Sequence, residues 1–187
     1  MGGKKSNIWI GTSGWHYDHW SGRFYPEELK KKEWFGYYSE HFDTVEVNNT
    51  FYHLPKGKTV ENWRESAPEG FLFTVKASRY ITHVKKLNDP KESIEKFFSI
   101  VNLFEDKLGV ILYQLPPNLH KNVDRLREFI EALPSDSRSV FEFRHKSWYC
   151  DEVYEVLENG GAGFCVHDMS GIETERIITS KIIYLRF

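Results

Sequence analysis

Along seven short stretches of the chain, apolar and polar positions alternate with a period of two, the signature of half-buried strands. These are Ile8–Ser13, Thr44–Asn48, Phe71–Lys76, Gly109–Leu115, Ser139–Arg144, Gly163–Asp168 and Lys181–Phe187. Between them the period lengthens toward that of a helix. Pro26–Glu40 opens on proline, carries Glu27 and Glu28 in its first turn, and places Leu29, Trp34, Tyr37 and Tyr38 at near-helical spacing. Thr59–Ser66 reads as a short helix closed by Pro68 and Gly70, and Pro90–Phe104 as a longer one with Ile94, Phe97, Phe98, Val101 and Phe104 on one stripe. Val123–Leu133 is amphipathic, and Asp151–Glu158 is helical up to Asn159-Gly160-Gly161. Gly14–Tyr25 is a long aromatic loop.

Repeated strand–helix alternation without hairpin dipeptides predicts parallel βαβ units, hence an α/β fold that is either doubly wound or a barrel. The side-chain parity decides between the two. One facing of every strand carries a polar or charged residue toward its C-terminal end: Thr12, Glu46 and Asn48, Lys76, Gln114, Glu142 and Arg144, Asp168, Arg186. The other facing is bulky and apolar, with Val45 and Val47, Phe71, Phe73 and Val75, Ile111 and Tyr113, Phe141 and Phe143, Ile183 and Leu185. A barrel requires this division, because outward residues meet helices while inward residues at the strand ends floor a pocket. The expectation is a TIM-type (β/α) barrel in one domain over residues 1–187. It is incomplete: seven strands are recognisable, the Asp168–Lys181 interval is short for a crossover helix, and an eighth unit is missing after Phe187. A chain truncated relative to a longer form, and a homodimer covering the open edge, are the corresponding expectations.

Composition narrows the functional classes. A formal net charge of −2 argues against a basic surface that wraps duplex nucleic acid. Six Trp and ten Tyr are more polar-tipped rings than a single core readily absorbs, so a share of them is expected along a cleft. Cys150 and Cys165 lack metal-site spacing, and Cys165 reads as a small buried hydrophobe in a reducing, cytoplasmic setting. No apolar run reaches the length of a membrane span, so a membrane partner is not expected. Met1–Ser6 matches the loose N-myristoylation pattern, but the pattern is short and a flexible N-terminal leader is the favoured reading.

Ile10–Trp15 (IGTSGW), Phe24–Pro26 (FYP) and Tyr37–Pro55 (YYSEHFDTVEVNNTFYHLP) together resemble the YecE-like family, a group of TIM-barrel-like proteins of unknown function. The resemblance continues through Phe73–His83 (FTVKASRYITH), Leu112–Pro117 (LYQLPP), Phe141–Trp148 (FEFRHKSW) and His167-Asp168. It implies the barrel fold and leaves the chemistry open. It also implies a further glycine-containing segment, helix and last strand beyond an arginine-bearing strand like that of Arg186, which this sequence lacks.

Several residues at the predicted mouth carry candidate chemistry. Glu46 and Glu142, from the second and fifth strands, are expected to face each other as acid and base, with Asp168 and His145 as further catalytic candidates. Their alternative role is in structural pairs with neighbouring cations. Lys76, Arg144 and Arg186 would cradle a phosphate or carboxylate, or simply balance the three acids. Thr12, Asn48 and Gln114 would add polar contacts, and Trp15, Tyr52 and Trp148 would stack on a sugar ring or base. His167 is expected to turn toward the helices, no metal site is expected, and no cofactor is identified. The leading function is a hydrolase-like enzyme acting on a small anionic or sugar-like molecule. The alternatives are nucleic-acid binding or repair through the aromatic rim, and a non-catalytic ligand-binding barrel.

Overall fold

The computed structural model describes residues 8–169 and 172–187, so the acylation-like leader lies outside the described residues. Among the described residues eight strands form one sheet: β1 (Gly11–Thr12), β2 (Thr44–Val47), β3 (Leu72–Lys76), β4 (Leu108–Gln114), β5 (Ser139–Glu142), β6 (Gly163–Met169), β7 (Ile172–Glu173) and β8 (Tyr184–Arg186). The order is β1-β2-β3-β4-β5-β6, all parallel, with β8 parallel to β6 and the short β7 antiparallel to it. Seven parallel strands are therefore present, as the periodicity predicts. The interval before β8 holds the β7 hairpin in place of a crossover helix. The sheet curls until Arg186 on β8 bonds to Glu46 on β2 and Ser13 beside β1. This is a curled half-barrel, consistent with an incomplete barrel.

The helices are α1 (Trp34–Ser39), α2 (Asn49–Tyr52), α3 (Gly57–Ser66), α4 (Pro90–Val101), α5 (Val123–Glu131) and α6 (Asp151–Asn159). The long helix expected from Pro26 shrinks to α1 and a preceding 3₁₀ turn, Lys31–Glu33. Tertiary packing decides this: Trp34 stacks on Tyr25 with ring centroids 4.6 Å apart, and its indole N–H donates to the Leu29 carbonyl, fixing the chain in a turn. The first strand is shorter than its pattern because only β2 lies beside it, leaving Ile8 and Ile10 exposed. Gly11 is required there, since a Cβ would collide with the Thr44 carbonyl.

Two apolar layers result. Val45, Val47, Phe71, Phe73, Val75, Ile111, Tyr113, Phe141 and Phe143 point outward into a large core under the helices. Leu112, Val140 and Cys165 form a small second cluster with Val110, Ile182 and Tyr184 on the concave side. Ile183 and Leu185 share the outward parity but are more than half exposed, with no helix covering β8 among the described residues. Among the described residues no helix is long and apolar enough to cross a membrane.

Candidate functional site

Strand register gathers the polar residues that close the concave core. Thr44 pairs with Leu72 and Glu46 with Thr74, so Glu46 points inward from β2. Lys76 pairs with Leu112, and Gln114 with Glu142, placing those three on the same facing. Arg144 follows β5, and Arg186 enters from β8.

The best-connected member is Arg186. Its Nε donates to Glu46 Oε2 and its Nη2 to Glu46 Oε1, both at 3.1 Å, a bidentate pair, and its Nη1 lies 3.5 Å from Glu142 Oε2. Glu46 also accepts from the Tyr184 hydroxyl at 2.8 Å and from Ser13 Oγ at 3.2 Å. Glu142 is fully buried, and its Oε1 accepts from Gln114 Nε2 at 2.8 Å and Arg144 Nε at 2.7 Å. Burial alone would raise the Glu142 pKa, but these two bonds and the two guanidinium charges outweigh it and hold the carboxyl below its usual range. Glu142 is thus an anion at neutral pH, and its Oε2 is buried without a hydrogen-bond donor. Burial and the Glu46 charge push the Tyr184 hydroxyl well above its ordinary pKa, so it remains a donor.

The cations differ in their commitments. Arg186 spends every nitrogen on Glu46, Glu142 or Ser13. Arg144 engages Glu142 through Nε, and its terminal nitrogens make no hydrogen bond among the described residues. Lys76 has no ion pair or side-chain hydrogen bond among the described residues, and its ammonium sits 4.5 Å from the centre of the Phe51 ring. Burial lowers the Lys76 pKa, and the Arg186 and Arg144 charges lower it further against the opposing pull of Glu46 and Glu142. Three cations against two carboxylates leave the cluster with one positive charge in excess.

Other expected members are placed elsewhere. Phe141 pairs with Phe164, and His167 with Arg186, so β6 presents Cys165 and His167 inward and Asp168 outward. Asp168 is exposed and bonds to none of the cluster among the described residues, which removes it from the acids and reverses the parity expected for His167. One ring nitrogen of His167 contacts the Phe143 carbonyl at 2.9 Å, the other is buried with no hydrogen-bond partner among the described residues, and the backbone is held by Thr174. Thr12 pairs with Val45 and therefore faces outward, where its hydroxyl donates to the Gly14 carbonyl and bonds Tyr38. Its neighbour Ser13 takes the inward place. Trp15 packs against Phe35 and Trp63 at 5% exposure, and Trp148 stacks on Phe143 with its indole N–H bonded to the Leu119 carbonyl. Both are core residues, not a stacking platform. Tyr52 is exposed beside Phe51, and Asn48 makes only a long contact with the Glu46 carbonyl. His145 bonds Ser147 and lies against His120, ring centroids 4.0 Å apart, and makes no hydrogen bond to the cluster. No group of three or more metal-ligating side chains occurs among the described residues.

Ser13 and Tyr184 are the site residues that sequence reasoning missed. The β-parity of Arg186 extended by two residues would have found Tyr184. Ser13 follows from shifting the first strand by one position.

Residues 9–187 match the family described as protein of unknown function DUF72. The chain is 32% identical over 157 residues to the UPF0759 protein YunF of Bacillus subtilis, and 28% identical over 155 residues to the UPF0759 protein YecE of Escherichia coli. These alignments cover 79% and 82% of this chain, which spans about half the length of either relative (54%). The crystal structure of a DUF72 family protein, TM1631 from Thermotoga maritima, superposes with a TM-score of 0.84 at 35% identity, covering 96% of this chain and 73% of that one.

Proposed function

Since the chain belongs to the DUF72 family, whose description assigns no reaction, we propose from its own side chains that it binds a small anionic molecule at the C-terminal ends of β2, β3 and β5. We read the curled sheet as a TIM-type barrel lacking one unit, which makes these strand ends its mouth. The observation that carries the proposal is the uneven commitment of the three cations: Arg186 is consumed by Glu46, while Lys76 and the Arg144 fork remain uncommitted. A carboxylate or phosphate on the ligand would take the Arg144 terminal nitrogens and the Lys76 ammonium. The donorless Glu142 Oε2 would accept from a ligand hydroxyl, so the ligand class is a small hydroxylated or oxo acid.

Paired-carboxylate hydrolysis is the less favoured reading, because Glu142 is held ionised and Glu46 has both carboxylate oxygens taken by Arg186. Base stacking is likewise less favoured with Trp15 and Trp148 in the core. Calorimetric titration with phosphate and with oxalate at fixed ionic strength tests the proposal. Lys76→Gln and Arg144→Gln should each weaken binding at least ~10-fold, the loss of one charge-assisted contact. Equal affinity in the wild type and both variants, or no binding by any, would overturn it.

A further inference from the structure

Lys76 stands apart from every other charged group of the cluster. Carboxylates on β2 and β5 lie close enough to influence it, yet neither pairs with it, and its ammonium rests instead on the Phe51 ring. The charged and titratable groups around it are Glu46 from β2, Glu142 and Arg144 from the end of β5, Arg186 from β8, and His83 from the turn Tyr80–Val84 after β3. A lysine required only for charge balance would close onto one of the acids. Glu142 Oε2 even offers a buried acceptor without a donor. A lysine flanked by guanidinium groups and partly removed from water instead has a readily available neutral amine.

Resting on the anion site proposed above, we propose that Lys76 is a nucleophile that condenses with the carbonyl of a small oxo acid or aldehyde acid whose anionic group sits on Arg144. The neutral Nζ attacks the carbonyl carbon, a C–N bond forms as the C=O π pair moves onto oxygen, and the nitrogen passes one of its protons to that oxygen to give a neutral carbinolamine. Its new hydroxyl donates to Glu142 Oε2, which faces Arg186 Nη1 at 3.5 Å but accepts no hydrogen bond among the described residues. That oxygen then takes a second proton from solvent and leaves as water, while the nitrogen lone pair closes the C=N bond of a protonated imine. The net change is amine plus carbonyl plus one proton to iminium plus water, with no oxidant or reductant. Burial and the Arg186 and Arg144 charges, by lowering the Lys76 pKa, raise the neutral fraction at physiological pH.

The test is reductive trapping with glyoxylate and cyanoborohydride, where hydride adds to the imine carbon and fixes a carboxymethyl group that peptide mapping locates. Lys58, an exposed lysine with 71% side-chain exposure, serves as the internal reference. Lys76 should be labelled at least ~10-fold faster than Lys58 at neutral pH, because the anionic group seated on Arg144 holds the carbonyl beside its amine, and its rate should level off at a lower pH, because burial lowers its pKa. Phosphate should slow Lys76 and leave Lys58 unchanged. Labelling of Lys76 no faster than Lys58 would overturn the proposal. If phosphate and oxalate still bind the wild type and bind Lys76→Gln more weakly, the anion site stands and only the condensation fails; if that binding is also lost, both fail together.

Discussion

Replacing Arg186 with Met should loosen the closure of the sheet. Arg186 and Tyr184 bond the last strand to Glu46 on β2, and Arg186 carries the charge: it reaches across the concave core to hold Glu46 through two hydrogen bonds of 3.1 Å and to face Glu142 at 3.5 Å. Met retains much of the packing of the stem, so the loss falls on the charge. Two charge-assisted hydrogen bonds disappear, each contributing about 1.5–3 kcal/mol. The Glu46 side chain is only 4% exposed, so it is left largely without solvent, and breaking a buried pair from one side costs about 3–5 kcal/mol. The Arg186 side chain is 22% exposed, so water entering beside it rehydrates part of the carboxylate. Ser13 and Tyr184 also continue to donate to Glu46. The expected net loss is therefore about 3 kcal/mol, or a fall of roughly 6–12 °C in Tm for a chain of this size. Urea unfolding followed by circular dichroism measures it. A double-mutant cycle with Glu46→Gln should return a coupling of at least ~1.5 kcal/mol. A loss under ~0.5 kcal/mol with additive single variants would show that β8 is held by its backbone pairing to β6 alone.

The pH dependence follows from Glu142. Its folded pKa lies below the unfolded value, so it stabilises above the unfolded carboxylate pKa, and the contribution disappears as pH falls through the folded one. Glu142→Gln should accordingly flatten the acid limb of a stability profile below about pH 4.5, and an unchanged limb would place the acid sensitivity elsewhere. Tyr184→Phe should cost about 1.5–3 kcal/mol through its bond to Glu46, measured by thermal unfolding. Trp148→Ala should cost about 3–5 kcal/mol without a direct effect on anion binding, since its indole is spent on Leu119 and Phe143. Asp168→Asn should leave both stability and anion affinity within experimental error, as an exposed group outside the cluster.

The middle of the sheet was legible because its alternation is strong. Val45/Val47 against Glu46, Phe73/Val75 against Lys76, and Phe141/Phe143 against Glu142 each leave a single register that buries the large side chains. The ends were not. In Gly163–Asp168, Phe164 and Val166 on one facing compete with Cys165 and His167 on the other, all apolar or buriable, and a one-residue slip moves Asp168 from pocket to surface. Gly11-Thr12-Ser13 is small and polar throughout, so Thr12 and Ser13 could be told apart only by the Thr12–Val45 pairing. The tryptophans misled for another reason. Trp15 and Trp148 do follow strand ends, but the loops fold back and tuck both rings under the helices, a long-range packing outcome that no local pattern encodes. The balance of charge also changed once Asp168 left the cluster, and that excess of one cation is what turns a structural network into a candidate anion site.

A crystal structure of the protein equilibrated with phosphate tests that claim most directly. Density for the anion is expected within hydrogen-bond reach of Lys76 Nζ and the terminal nitrogens of Arg144, with Arg186 still bidentate to Glu46. An empty strand-end cluster with Lys76 closed onto Glu46 or Glu142 would contradict it.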